Sequence, residues 1–230
     1  MSSAYNYRKT GERLKTKGPE KKTLDEPIDQ AHTVVDSGFT STTNFIDLAQ
    51  GPYINQGSDL NQRVGARVRL RNINARLLFR PAVFDGNTVQ FGGNICKEML
   101  VRVICVVDYQ SNGAAVTATD LLVLDNTSTF SVFAMRNMRN STRFRTLVDD
   151  TFSLHEMFTG DTMYAHREYN FKVDIPILFN AQNNVGQANM TENSIRWFIV
   201  CLPPFTDPAL GANTLQLHTD GVFRYRYRDQ

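Results

Sequence analysis

Apolar and polar residues alternate with period two over much of the chain beyond residue 62. The segments 64–79 ("VGARVRLRNINARLLF") and 169–179 ("YNFKVDIPILF") carry apolar residues at alternate positions, which predicts strands with one buried face. The segment 98–109 ("EMLVRVICVVDY") is apolar at both sets of alternate positions and predicts a strand buried on both faces. Further strands are predicted at 143–154, at 195–205 and around "GVFRYRYR" near the end of the chain.

Three local signals interrupt the strands. Pro176 cannot donate a ladder hydrogen bond, so we expect a sheet edge or a bulge there. The pair Asp149-Asp150 resembles a turn inside 143–154. The segment 118–125 ("ATDLLVLD") opens with a capping residue and predicts a short helical turn with Thr119 as its cap.

These elements define the fold class. Seven or eight strands with long connections and hardly any helix indicate an all-β, antiparallel sandwich or barrel in one domain. Long strands that are joined by long loops favour a two-sheet jelly roll over a simple meander.

Composition divides the chain into three parts. Residues 1–24 carry seven Lys or Arg and two Glu, a net charge of +5, while the rest carries 18 basic and 21 acidic residues, a net charge of −3. We predict an extended basic N-terminal arm at 1–24, an extended connector at 25–61 and a jelly-roll domain at 62–230. The arm suits either a solubilising tail or a polyanion-binding segment, and its candidate contacts are Arg8, Lys9, Arg13, Lys15 and Lys17.

Arginine alternates with apolar residues in three distant stretches. The members are Arg67, Arg69 and Arg71, then Arg143 and Arg145, and finally Arg224, Arg226 and Arg228. In a strand, residues two apart share a face, so each stretch offers an apolar row to a core and a cationic row elsewhere. A guanidinium group matches phosphate oxygens, and the interleaved tyrosines and Phe223 would stack bases if a ring reached that surface. The alternative is an ordinary solvent-facing strand surface.

Other chemistry is not indicated. Cys96, Cys105 and Cys201 lack zinc spacing and are interpreted as buried reduced thiols, and His32, His155, His166 and His218 lack ligand spacing. We therefore predict no metal and no cofactor, and since no catalytic constellation occurs we do not expect an enzyme. The apolar runs fall short of the roughly 18 to 20 residues that span a bilayer, so no membrane insertion is expected. Residues 1–30 lack a secretory signal core, which indicates synthesis in the cytosol.

Several segments, in order, resemble capsid proteins of circovirus-like viruses, which have small circular single-stranded DNA genomes. They are "NQRVGARVRLRNINARLLF", "VRVICVVDYQSNGAAVTATDLL", "NMRNSTRFRTLVDD" and a final arginine-aromatic strand that closes on Asp229. The resemblance covers about residues 60–229, and "QRVG" and "DYQSNG" carry most of it.

The resemblance implies a jelly roll of eight strands in two four-stranded sheets, assembled with copies of itself into a small icosahedral shell around a circular single-stranded DNA genome. It implies a place in the virion, with assembly in the host nucleus or cytoplasm. It further implies that the first, last and 143-region strands are neighbours in one sheet on the inner side of the shell. With about sixty copies, the arm and eight arginines would supply roughly 800 inward charges, a useful fraction of a kilobase-scale strand.

Two alternatives to this function remain open from the sequence. A capsid of a small RNA satellite virus has the same phosphate chemistry, because phosphate contacts carry no information about the sugar. A non-viral jelly-roll binding module or enzyme would instead need a His or carboxylate cluster at one end of the barrel, which the sequence pattern does not show.

Overall fold

The alternating segments fold as long strands. The structure is a computed structural model that describes residues 21–34, 44–59, 61–84, 89–91, 98–111, 116–124, 131–155, 164–180, 190–202 and 214–230. The strands are β1 (Lys21–Thr33), β2 (Phe45–Asp47), β3 (Arg67–Phe84), β4 (Val89–Phe91), β5 (Glu98–Asp108), β6 (Phe144–His155), β7 (Ala165–Phe179), β8 (Met190–Glu192), β9 (Ser194–Leu202) and β10 (Thr214–Asp229). A four-residue helix, α1 (Ala118–Leu121), and a 3₁₀ turn (Met138–Asn140) lie between β5 and β6.

The strands form two antiparallel sheets with jelly-roll connectivity. One sheet has the order β1-β10-β3-β7-β8, with β4 beside β3, and the other has the order β2-β9-β5-β6. Apart from the short strands β4 and β8, eight strands pair from the ends of the chain inward. β1 pairs with β10, β2 with β9, β3 with β7 and β5 with β6. This is a double ribbon wound into two four-stranded sheets, and it confirms the all-β jelly-roll prediction.

The core lies between the two sheets. Inward side chains of both sheets form one cluster, in which the Trp197 ring lies 5.1 Å from that of Phe223 and the Phe79 ring lies 5.3 Å from that of Phe152. Cys105 and Cys201 are buried, free thiols in this cluster, and burial raises the pKa of Cys201 to about 12. Both are inert small apolar residues, as predicted, while Cys96 lies outside the described residues.

A second apolar cluster covers the outer side of the four-stranded sheet. Ile104 and Val106 of β5 pack there against residues of α1 and of the segment before β6. The buried Arg102 of β5 holds the segment before β6 against the sheet, because its guanidinium donates to the carbonyls of Val132 (2.9 Å) and Ala134 (2.6 Å). β5 is therefore buried on both faces, as the sequence predicts.

The structure corrects where the sheets begin. Strands β1 and β2 lie in the segments that we assigned to the arm and the connector, although we expected the ordered domain to start near Gln62. All 13 residues of β1 pair with β10. The three-part division of the chain stays a prediction, and residues 1–20 lie outside the described part.

Local details differ from the sequence predictions in two places. Asp149 and Asp150 are not a turn but lie within β6, where Asp149 accepts two hydrogen bonds from Arg102 (2.6 and 2.9 Å). The helical turn exists, but its cap is Thr117, whose backbone N–H and hydroxyl each lie 2.8 Å from Asp120 Oδ2.

The prediction for Pro176 is confirmed. It lies opposite Arg69, before the point at which β8 begins to pair with β7, and a register shift in the ladder between β3 and β7 lies nearby. No helix in the described part of the chain is long and apolar enough to cross a membrane.

Gly221 is required where the backbone of β10 lies close to that of β3. Its φ is +152°, and a Cβ there would lie 2.0 Å from the carbonyl oxygen of Arg76. We expect Gly221→Ala to lower the free energy of unfolding by about 2–4 kcal/mol through overpacking and backbone strain. Chemical denaturation of both proteins measures this change.

Gly65→Ala is the matched control, because a Cβ at Gly65 would meet its nearest atom at 3.6 Å. Equal stability losses in the two variants would contradict the close approach at Gly221.

Candidate nucleic-acid interface

The arginine rows of β3 and β10 point away from the core. Val68 and Leu70 of β3 and Tyr225 and Tyr227 of β10 are buried between the sheets. Because side chains alternate along a strand, the arginines between them project from the outer face of the six-stranded sheet. Apolar and cationic rows are thus separated as the sequence predicts for these two strands.

The strand register gathers the two rows into one patch. Arg228 lies between Lys21 of β1 and Arg69 of β3, and Arg226 lies opposite Asn72 of β3. We call the surrounding outer surface the basic face, and its cationic members are Lys21, Arg67, Arg69, Arg71, Arg76, Lys172, Arg224, Arg226 and Arg228. Three carboxylates share this surface, those of Asp25, Glu168 and Asp174. Nine cations against three anions leave a net charge of +6.

Asp174 neutralises part of the β3 row. Its carboxylate accepts two hydrogen bonds from Arg69 (2.5 and 2.6 Å) and one from Arg71 (2.7 Å). The hydrogen bond from Arg69 and the two positive charges lower the pKa of Asp174, so it stays ionised at more acid pH than a free aspartate. These side chains remain about 40–50% exposed, so water and ions compete for the pair.

Two further carboxylates bind arginines of the basic face. Asp25 of β1 accepts two hydrogen bonds of 2.7 Å from Arg224, which lower its pKa. Glu168 of β7 accepts one from Arg76 at 3.1 Å. Three of the six predicted arginines on this face are therefore ion-paired within the chain, as is Arg76. The cations of the basic face that have no ion pair in the described residues are Lys21, Arg67, Lys172, Arg226 and Arg228.

An open cavity of about 390 Å³ lies among these cations. It is lined by Lys21, Lys22, Thr23, Arg71, Asn72, Arg226, Tyr227 and Arg228. The buried Lys22 is occupied, because its Nζ donates to the carbonyl of Gln62 (2.8 Å) and lies 2.9 Å from Asp229. Arg71 donates to Asp174, but Lys21, Arg226 and Arg228 have no ion pair in the described residues. Their ammonium and guanidinium groups suit phosphate oxygens.

Arg143 and Arg145 do not join this surface, which corrects the predicted convergence of all three rows. Arg143 directly precedes β6 and Arg145 is its second residue, and β6 pairs with β5 in the other sheet. Arg143 donates to Asp108 (3.0 and 2.9 Å), and Arg145 is exposed on β6. The neighbour of β10 on its other side is β1, which the sequence analysis had placed in the arm and connector.

The interleaved aromatic rings are unable to stack on bases. Phe223, Tyr225 and Tyr227 are buried, because the same alternation that exposes the arginines turns these rings into the core. Phosphate contacts, and not base stacking, are what this part of the face offers.

The predicted arm residues Arg8, Lys9, Arg13, Lys15 and Lys17 lie outside the described residues. The first described residue, Lys21, is exposed and belongs to the basic face.

Sequence reasoning missed Lys21, Arg76 and Lys172 as members of the face. A usable signal existed for Lys172, because the segment 169–179 has polar residues at the positions between its apolar ones. Lys21 gave a weaker signal, since it begins a strand that has few apolar residues.

No family model and no curated protein matches the chain. Among solved structures, the chain is similar to VP2 of infectious bursal disease virus in a subviral particle, at 10% identity and a TM-score of 0.25, over 99% of this chain and 41% of that one. It is similar to VP1 of trichodysplasia spinulosa-associated polyomavirus in complex with 3′-sialyllactose, at 9% identity and a TM-score of 0.22, over 93% and 96% of the two chains. The chain thus spans about two fifths of the VP2 protein.

Removal of Asp174 tests the internal compensation. Asp174→Asn releases the guanidinium groups of Arg69 and Arg71, so we expect tighter binding of single-stranded DNA. The slope of the logarithm of the binding constant against the logarithm of salt concentration should be steeper by about 0.7 for each additional phosphate contact. Fluorescence anisotropy with a labelled oligonucleotide at several salt concentrations measures both.

Asp59→Asn, at an exposed carboxylate in the turn before β3, is the control and leaves the binding curve unchanged. An unaltered curve for Asp174→Asn would contradict a role of the basic face in binding.

Proposed function

We propose that this protein is a viral capsid subunit that assembles with copies of itself into a closed icosahedral shell and packages circular single-stranded DNA. The observation that carries the proposal is the convergence of Lys21 and seven arginines from β3 and β10 on one sheet face. The ordered resemblance of several segments to circovirus-like capsid proteins supports it.

The distribution of charge favours a polyanion as the ligand. The whole chain has a formal charge of only +2, yet the basic face alone has +6 and residues 1–24 have +5. Like charges on neighbouring strands destabilise a sheet by a few tenths of a kcal/mol per pair, and bound phosphate removes that repulsion. In the proposed shell the basic face and the arm turn inward.

The kind of contact implies packaging without sequence preference. Guanidinium and ammonium groups bind phosphate oxygens, and phosphate contacts carry no base information. The basic face serves DNA and RNA equally well, so the choice of DNA rests on the resemblance alone. The proposal locates the protein in the virion, with assembly in the host nucleus or cytoplasm.

Assembly and cargo are tested together with the full chain. We expect particles of uniform diameter, about sixty copies each as in the smallest icosahedral shells, in negative-stain electron microscopy at moderate salt. Nucleic acid extracted from them is expected to be digested by DNase and to resist RNase. Particles with RNase-sensitive cargo would favour the RNA satellite alternative, and monomers or dimers at all protein concentrations would contradict the shell.

Three cations at the cavity test the role of the basic face. In a triple variant with Lys21→Gln, Arg226→Gln and Arg228→Gln, we expect intact assembly and less packaged nucleic acid. The slope of the logarithm of the binding constant for single-stranded DNA against the logarithm of salt concentration should be shallower by about 2, because each lost phosphate contact removes about 0.7. The ratio of absorbance at 260 and 280 nm reports the cargo, and anisotropy titrations report the slope.

A double variant with Arg139→Gln and Arg145→Gln is the control, because both side chains are exposed and lie outside the basic face. A loss of cargo in proportion to the two removed charges, about two thirds of that in the triple variant, would show that total charge, and not this face, determines packaging.

A further inference from the structure

Three ligand-type side chains meet at the opposite end of the same sheet face. They are Asp29 of β1 and His218 and Asp220 of β10, and we call them the Asp–His cluster. One side-chain atom of each lies within 4.8 Å of the corresponding atoms of the other two. Asp29 and Asp220 are direct partners in the ladder between β1 and β10, and His218, two residues before Asp220, shares their face.

The distances fit a metal ion between the three groups. His218 Nδ1 lies 3.7 Å from Asp29 Oδ1 and 3.7 Å from Asp220 Oδ1. Two N or O ligands of one tetrahedral zinc ion, each at about 2.0–2.2 Å from it, lie roughly 3.4 Å apart. Small rotations of the side chains therefore bring all three atoms into the coordination sphere, with no movement of the backbone ladder.

The two carboxylates of the cluster carry more negative charge than the neighbouring Arg80 compensates, which favours a bound cation. Carboxylates that lie directly opposite each other on paired strands repel. Arg80 of β3 pairs with Oδ2 of Asp220 and compensates one of the two charges, while Oδ1 of the same carboxylate faces His218. A contact of this kind from outside the ligand set orients a metal-binding carboxylate.

We propose that Asp29, His218 and Asp220 bind one divalent transition-metal ion of the zinc type, which joins β1 to β10. One imidazole nitrogen and two carboxylate oxygens suit zinc or cobalt better than calcium or magnesium, which prefer oxygen ligands alone. The Asp29 side chain is 79% exposed, so solvent reaches the fourth position. Because β1 pairs only with β10 among the described strands, the ion fastens an outer strand to the sheet.

The test uses the full chain, first treated with a chelator and then titrated with Zn²⁺ or Co²⁺. We expect one ion per chain by mass spectrometry of the metal after gel filtration, and visible absorption bands of bound Co²⁺. At a Zn²⁺ concentration about 100 times the dissociation constant, the melting temperature should rise by roughly 5–10 °C.

Asp29→Asn and His218→Gln are expected to weaken zinc binding at least about 100-fold and to abolish the Co²⁺ bands. Asp25→Asn on β1 and His166→Gln on β7 are the controls, since both residues lie on the same sheet face outside the cluster. Unchanged zinc affinity in His218→Gln, preferential binding of Ca²⁺, or no retained metal would each overturn the proposal.

Discussion

The ladder in which β10 lies between β1 and β3 determines both the core and the charged surface. Phe223, Tyr225 and Tyr227 turn inward from β10, and the arginines between them turn outward. The core needs the aromatic row, so the side of the sheet from which the arginines project is determined by packing. A polyanion that binds here meets a surface already ordered by folding, which reduces the entropy lost on binding.

Internal carboxylates moderate the repulsion that such a surface creates. Asp25 and Asp174 each bind arginines of neighbouring strands, yet all of these groups are partly exposed. Exposed ion pairs contribute little to stability, so they are easily exchanged for phosphate. The carboxylates therefore hold the arginines in position in the empty protein without forming a strong competitor for nucleic acid.

The sequence predicts those features of the structure that depend on alternation within a single strand. The rows of β3 and β10 follow from period-two patterns, because the buried residues of both strands are apolar or aromatic apart from Thr219. Strand β1 was missed because its inward positions include Lys22, Glu26 and His32 beside only a few apolar residues. The separation of Arg143 and Arg145 from the other rows depends on which strands pair, and that is decided by long-range packing that no single segment encodes.

The two candidate sites on this sheet face act independently. Asp220 and Arg224 are four residues apart on β10, which is about 13 Å along an extended strand. At an ionic strength of 0.1 M the screening length is about 10 Å, so a cation at the Asp–His cluster has little effect on phosphate at Arg224, Arg226 and Arg228. Both sites nevertheless depend on β1, because it supplies Asp29 to one and Lys21 to the other. Detachment of β1 would disable both together, whereas a change of charge at one site would leave the other intact.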